Sequence, residues 1–188
     1  YKETDKIVAQ NHQFLGVNNA VASFRDRRGK EGRLGVFWHT QGSGKSFSMI
    51  FLSRKIMRKN IGNFTFVVIT DREDLDGQIY RNFLNTDTVK KNEAARPDNS
   101  NQMREFLGKN LRFVFTLIQK FRFDRGKEYP VLSERDDIIA TCCGLVYGFD
   151  YGKGFFTSCN AAVIHAANLA NPDAMYFRQL SREVNALL

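Results

Sequence analysis

The feature that most constrains this chain is a short glycine-rich run, Gln41-Gly42-Ser43-Gly44-Lys45-Ser46. It lies between an apolar segment, residues 34–38, and a second segment, residues 45–59, that is apolar on most sides. A glycine-rich turn between a buried strand and a helix lets backbone N–H groups point inward at phosphates, and the helix N-terminus adds positive potential. The run therefore predicts a phosphate-binding loop in an α/β fold.

The types of residue in this loop predict ATP and Mg²⁺ as cofactors. Lys45 is expected to reach the β- and γ-phosphates and is the catalytic candidate, and the Ser46 hydroxyl is the expected metal ligand. The general pattern has a further glycine five residues before Gly44, where this chain has His39. That relaxed form is common among helicase-like motors. The alternative interpretation is an ordinary strand-to-helix turn with an incidental Lys-Ser pair.

Apolar patterning along the rest of the chain indicates strands alternating with helices, which is typical of a parallel sheet. The first predicted helix spans 7–24, with Val8, Leu15, Ala20, Val21 and Phe24 on its apolar face. An exposed loop is predicted over 85–101, where Asn, Lys, Asp and Pro are frequent. The other predicted strands are 34–38, 64–70, 112–118 and one beginning at 137–140; the other predicted helices are 45–59, 74–84, 102–109, 161–170 and 172–187.

Composition limits the class of protein and its partners. The 188 residues suffice for one domain, or for one lobe plus a fragment of another unit. No apolar stretch reaches the ~20 residues that a bilayer crossing needs, so we expect a cytoplasmic chain with no membrane partner. The cysteines Cys142, Cys143 and Cys159 lack metal-ligand spacing and are expected to be reduced, buried thiols. Residues 1–60 hold 12 Lys and Arg against 4 Asp and Glu, so the basic excess surrounds the phosphate loop and favours a polyanionic partner.

Four stretches in order resemble the restriction (R) subunit of type I restriction-modification enzymes. The stretch 35–46 is similar to the first motor motif of that family, and the other three are 12–14, 67–76 and 115–121. The resemblance covers roughly residues 5–140. It implies a RecA-like P-loop NTPase lobe, with a parallel β-sheet flanked by helices, of the superfamily 2 helicase-like kind.

The resemblance also implies roles for particular residues. Gln13 is similar to the adenine-reading glutamine of such motors; the alternative is a solvated amide. Thr70, Asp71 and Arg72 lie where a strand ends and resemble part of the DNA track. The alternative is an ordinary helix cap, in which Asp71 or Asp74 accepts backbone N–H bonds. Thr116, Gln119 and Lys120 resemble a motif that grips the DNA backbone; the alternative is a polar strand end. The predicted nucleotide set is then Gln13, Gln41, Gly42, Ser43, Gly44, Lys45 and Ser46.

One motif of the family is missing. An Asp-Glu-Ala-His sequence is expected at the end of the fourth strand, where the carboxylates hold Mg²⁺ and position the attacking water. Here residues 137–140 lead into Thr-Cys-Cys-Gly, and the final 48 residues carry only 6 charged side chains. Three accounts stay open: a frameshift, an unrelated natural tail, or a divergent lobe whose acid is Asp150. His165 is expected to be a packed or surface histidine. We therefore divide the chain into a motor lobe, 1–140, that is incomplete at its C-terminal end, and a divergent tail, 141–188.

The function implied by the resemblance is the ATP-binding, DNA-translocating motor part of a type I site-specific deoxyribonuclease. Its implied partners are double-stranded DNA and the methylation and specificity subunits of a type I complex. The chain alone is expected to be poorly active. The alternatives are a catalytically inactive P-loop nucleotide-binding module or another superfamily 2 helicase-like ATPase. A kinase-like P-loop protein fits less well, because it leaves the stretches around Arg72 and Lys120 unexplained.

Overall fold

The computed structural model describes residues 6–29, 32–38, 42–70, 72–121, 133, 135–143 and 161–167. Helices and strands alternate along most of these ranges. The helices are α1 (Asn11–Arg25), α2 (Lys45–Lys59), α3 (Glu73–Asn85) and α4 (Ser100–Gly108), with a 3₁₀ turn at Ile118–Phe121. The strands are β1 (Arg33–Trp38), β2 (Thr65–Thr70), β3 (Ala94–Ala95), β4 (Phe113–Leu117), β5 (Ile138–Cys143) and β6 (Ala161–Ala167).

The strands form one sheet in the order β1-β6-β5-β2-β4-β3. Strand β2 pairs in parallel with β4 and β5, and β3 pairs in parallel with β4. Helices connect these strands, as parallel pairing requires. The predicted α/β architecture, a parallel sheet flanked by helices, is therefore confirmed. The carboxyl ends of β2, β4 and β5 meet at one edge of the sheet, called here the carboxyl edge.

The core lies on both faces of the central strand. All six residues of β2 are buried, and its four apolar residues alternate between two apolar clusters. Phe66 and Val68 pack with residues of α1, α2 and α3, whereas Val67 and Ile69 pack with residues of α4. Burial on both faces is the physical reason for the uninterrupted apolar sequence of β2.

The first helix begins later than its apolar pattern predicts. It starts at Asn11 rather than at residue 7, and the predicted core residues Val8 and Leu15 are 69% and 52% exposed. The buried stripe is instead Val17, Ala20, Val21 and Phe24, whose spacing places them on one helix face.

Two further predictions are wrong. The predicted loop 85–101 contains β3, and it buries Thr88 and Val89 at 7% and 2% exposure. The predicted helix 161–170 is the strand β6, which pairs antiparallel with β1 on one side and with β5 on the other. Two rows of ladder hydrogen bonds override the helix preference of an alanine-rich segment. The predicted helix 172–187 lies outside the described residues.

Residues 141–143 continue β5 directly from the predicted motor lobe, and β6 lies within the same sheet. The division at residue 140 stays a prediction. Among the described residues, none of the helices has both the length and the apolar character of a membrane span.

Candidate nucleotide-binding site

The phosphate loop leads from β1 into α2, as its sequence predicts. Gly42 and Gly44 have φ values of 81° and 75°, a backbone region that glycine enters without steric cost. Gly44 also caps α2, and its carbonyl accepts the N–H groups of Phe47 and Ser48 at 3.0 and 3.1 Å. A side chain at Gly44 would meet Nε2 of Gln13 at 2.6 Å. The close approach and the positive φ together require glycine at this position.

The N-terminus of α1 is bonded to this loop. Gln13 is buried, and its amide nitrogen donates to the carbonyl of Gly44 at 2.9 Å and to that of Ser43 at 3.5 Å. Its Oε1 accepts the backbone N–H of Gln10 at 2.9 Å. His12 adds a contact of 3.0 Å between Nε2 and the Ser43 carbonyl. The nitrogen and the oxygen of the Gln13 amide therefore both have hydrogen-bond partners within the protein. A hydrogen bond to adenine would have to replace one of these bonds, and the adenine assignment stays a prediction.

Lys45 is the first residue of α2 and is partly buried. Burial lowers the pKa of its ammonium below the ordinary 10.5, and the nearby sulfur of Cys143 acts in the opposite direction. Ser46 follows in the first turn of the helix, also partly buried. Strand order explains the proximity of Lys45 to Cys143, because β5 ends at the edge of the sheet where the phosphate loop begins α2.

The end of β5 carries a thiol where the family motif would place a carboxylate. Cys143 is its last residue, is 6% exposed and pairs across the sheet with Thr70 of β2. Thr70 is fully buried, and its hydroxyl has no hydrogen-bond partner among the described residues. Asp136 and Asp137 precede β5 at the opposite edge, and Asp137 pairs with Arg135 at 2.9 Å. Neither aspartate is positioned to replace the missing acid.

The predicted DNA contacts fall into two groups. Thr70 and Thr116 are 0% and 1% exposed, so neither hydroxyl can donate to a phosphate in this conformation. Both hydroxyls lie inside the packed strand ends, and the DNA assignment of these two residues stays a prediction. Arg72 is exposed and forms an ion pair of 2.6 Å with Asp74, and this hydrogen bond lowers the pKa of the Asp74 carboxyl. Gln119 is exposed, and the ammonium of Lys120 donates to the Pro97 carbonyl at 2.5 Å.

Several assigned residues lie outside the described residues: Gln41, Asp71, Asp150 and Cys159. His165 lies in β6, and its backbone pairs with Ala140. Cys142 and Cys143 are reduced, buried thiols, as predicted, and burial raises the pKa of Cys142 to about 12. The described residues contain no group of three or more His, Cys, Asp or Glu side chains arranged to hold a metal ion.

Sequence reasoning does not single out two residues of the site. His12 lies among polar helix residues, and only its contact with Ser43 reveals a role in supporting the loop. Cys143 belongs to an apolar run, and the sequence does not mark where the strand within that run ends. A strand of six residues counted from Ile138 would have placed Cys143 at the carboxyl edge.

The residues present fit a triphosphate more fully than they fit Mg²⁺. The two glycines leave the loop backbone open to phosphate oxygens, and Lys45 stands at the helix N-terminus beside it. For Mg²⁺, Ser46 offers a hydroxyl oxygen, but the end of β5 offers sulfur. Thiolates suit soft metals, whereas Mg²⁺ prefers carboxylate, water and phosphate oxygens. The site is therefore well suited to hold a nucleotide and less well suited to hydrolyse it.

Comparison with known proteins gives matches across the same region. The profile of the SWI2/SNF2 ATPase family matches residues 12–142. The type I restriction enzyme HindI endonuclease subunit of Haemophilus influenzae is 41% identical over 143 residues, which is 73% of this chain and 14% of the relative. The putative type I restriction enzyme MjaIXP endonuclease subunit of Methanocaldococcus jannaschii is 33% identical over 71% of this chain and 13% of its own length. The chain thus spans about one seventh of these relatives, and the resemblance to type I restriction subunits is confirmed.

Proposed function

Because the chain belongs to the SWI2/SNF2 ATPase family, we propose that it is the ATP-binding lobe of a motor that translocates double-stranded DNA. The names of its relatives support placing this lobe in the endonuclease subunit of a type I restriction enzyme. In this proposal residues 1–140 form the lobe and 141–188 a divergent tail. The whole enzyme couples ATP hydrolysis to DNA pulling and cleavage, with separate methylation and specificity subunits.

The observation that carries this proposal is the geometry of the phosphate loop. A strand ending at Trp38, two glycines with positive φ and a helix beginning at Lys45 follow in this order along the chain. The loop N–H groups and the Lys45 ammonium bind the phosphates, and Ser46 supplies an oxygen to Mg²⁺. When bound, Mg²⁺ neutralises charge on the β- and γ-phosphates. Gln13 and His12 hold the loop carbonyls of Ser43 and Gly44, which keeps the neighbouring N–H groups directed at the nucleotide.

Substitution of the loop lysine tests the nucleotide site. We expect Lys45→Ala to abolish ATP binding and to leave thermal unfolding nearly unchanged, because Lys45 is only partly buried. Lys59→Ala is the matched control, since it removes the same charge from an exposed position in the last turn of the same helix. Titration with ATP by calorimetry measures both. Equal ATP affinity in the wild type and Lys45→Ala would show that Lys45 is not part of the nucleotide site.

The DNA track of the proposed motor follows the carboxyl edge. Arg72 and Gln119 are exposed there, and Lys120 lies beside them in the chain segment that follows β4. Their guanidinium, amide and ammonium groups donate to phosphate oxygens without reading base edges, which suits a motor that passes over any sequence. Base specificity then belongs to another subunit.

A second candidate function is a nucleotide-binding module that does not turn over ATP. The observation that favours it is Cys143, which occupies the end of β5 beside Lys45 in place of a carboxylate. A thiol with little exposure is a weak base for positioning water. Steady-state phosphate release distinguishes the two functions, because only the motor turns over ATP.

A further inference from the structure

Helix α3 buries a charged side chain that the proposed function does not use. Asp76 is 3% exposed and lies in the first turn of the helix. Its Oδ2 bonds to Arg96, whereas Oδ1 is buried without a hydrogen-bond partner among the described residues. A buried carboxylate oxygen without a hydrogen bond carries a desolvation cost, so the presence of an aspartate at this position needs an explanation.

The partner of Asp76 is a cation that is half in solvent. Arg96 follows β3, and its side chain is 49% exposed while that of Asp76 is 4% exposed. Its guanidinium lies over the ring of Tyr80 at 5.3 Å, one helical turn from Asp76. A guanidinium has five N–H donors, and only Nη2 is engaged in the hydrogen bonds of the described residues. The exposed side of Arg96 therefore keeps donors for a second anion while Asp76 and Tyr80 hold its plane.

Arg96 is continuous with the proposed DNA track. Its chain neighbour Pro97 accepts a hydrogen bond from the Lys120 ammonium, and Ser100 donates to the Lys120 carbonyl at 2.7 Å. On the other side, the Asp76 N–H donates to the carbonyl of Arg72 at 3.0 Å. Arg96 thus follows the edge strand β3 at the carboxyl edge of the sheet, and these contacts connect it to both predicted track segments.

We propose that Arg96 is a further contact to the DNA backbone, and that Asp76 and Tyr80 are positioning residues that hold its guanidinium toward a phosphate. This inference rests on the proposed DNA track. The planar fork of Arg can serve a carboxylate on one edge and a phosphate on another, which a point charge such as Lys does less well. A DNA phosphate is favoured over an acidic protein surface because the neighbouring donors of Arg72 and Lys120 belong to the track.

The experiment measures the salt dependence of binding to a duplex of random sequence. In the double variant Asp76→Asn/Arg96→Gln a neutral pair replaces the ion pair, so the net charge is unchanged and no buried charge is left alone. We expect its slope of log K against log salt to be shallower than that of the wild type by ~0.9, the value for one lost phosphate contact. Arg96→Lys should keep most of the slope, because it retains the charge.

Arg58→Gln is the matched control, because it removes one exposed positive charge near the C-terminus of α2, at the opposite edge of the sheet. We expect it to leave the slope unchanged. An unchanged slope in the double variant, or an equal loss in Arg58→Gln, overturns the role of Arg96. A wild type that does not bind duplex DNA at all overturns the proposed motor instead.

A measurement on the wild type keeps the test independent of variant folding. Phenylglyoxal modifies accessible arginines, and peptide mass spectrometry locates each product. Duplex DNA should protect Arg96 and leave Arg58 reactive. Equal modification of Arg96 with and without DNA overturns the inference, as does protection by an acidic polypeptide such as polyglutamate but not by DNA.

Discussion

The ammonium of Lys45 lies at the start of α2, partly withdrawn from water and close to Cys143. Withdrawal disfavours the charged form, which is the form that attracts phosphates. The same carboxyl edge contains Thr70 and Cys143, which bring a hydroxyl and a sulfur to the ends of the strands but no carboxylate. At the scale of residues, the site thus consists of the Lys45 ammonium beside the backbone N–H groups of the glycine-rich loop.

The lowered pKa of Lys45 predicts how ATP affinity depends on pH. The free site loses its proton as pH rises through this lowered pKa, so affinity should begin to fall below pH 10.5, the ordinary value. Lys45→Arg stays charged throughout and should show no such fall. Calorimetric titration of ATP across this range measures the effect. A wild-type affinity that follows Lys45→Arg at every pH would show that Lys45 does not contact the phosphates.

The lowered pKa of Lys45 also makes the stability of the fold depend on pH. Between the lowered folded pKa and 10.5 the unfolded chain binds more protons at Lys45 than the folded chain does. The contribution of this residue to the free energy of unfolding therefore rises with pH in that window. At pH values below the folded pKa, Lys45 is charged in both states, and the full desolvation cost of its partial burial lowers the free energy of unfolding.

At the scale of elements, α4 is a short helix that depends on its first residues. Asn99 precedes it in an extended conformation, and its side chain accepts the N–H groups of Asn101 and Gln102, both at 3.0 Å. Met103 and Leu107 bury the inner face of this helix against the sheet. The cap thus satisfies two of the N–H groups that have no partner within the first turn of this nine-residue helix.

We expect Asn99→Ala to lower the free energy of unfolding by about 1 kcal/mol, the typical cost of a lost N-cap. Asn99→Ser retains an acceptor and should recover most of that loss. Asn110→Ala is the control, because Asn110 is exposed and lies just after the helix. Urea unfolding followed by circular dichroism measures all three. Equal stability of Asn99→Ala and Asn110→Ala would contradict the capping role.

At the scale of the whole molecule, the described residues combine an intact nucleotide cradle with an edge that lacks a positioned acid. Cys143 ends β5, and a thiol cannot supply the positive charge that an arginine brings to the transition state of phosphoryl transfer. An arginine of that type is worth ~10³–10⁵ in rate in related phosphoryl-transfer systems. We therefore expect this chain to bind ATP without hydrolysing it at the rate of a typical enzyme.

We expect the chain to bind ATP but to release phosphate far more slowly than ~1 s⁻¹, the low end of typical enzymes, with or without duplex DNA. Asp150→Ala should leave the slow rate unchanged. Turnover near ~1 s⁻¹ that Asp150→Ala abolishes would show instead that the segment after β5 supplies the acid.

Local patterns in the sequence were sufficient for the central part of the fold. The helix over 45–59 has the predicted bounds, and β2 and β4 lie within one residue of theirs, because long apolar runs between glycine and polar turns specify element type locally. The phosphate loop is also a local property, since the positive φ angles need glycine at positions 42 and 44 whatever surrounds them.

Contacts between distant residues decided the rest, because no local pattern records what will pack against a segment. Only the folded chain buries Thr70 and Thr116, sets Cys143 beside Lys45 and joins Asp76 to Arg96. Pairing with strands on both sides turns the alanine-rich segment Ala161–Ala167 into β6. The sequence by itself therefore determined a phosphate-binding α/β lobe, whereas the tertiary structure decided which polar groups at the carboxyl edge reach solvent, since burial depends on neighbours that are remote along the chain.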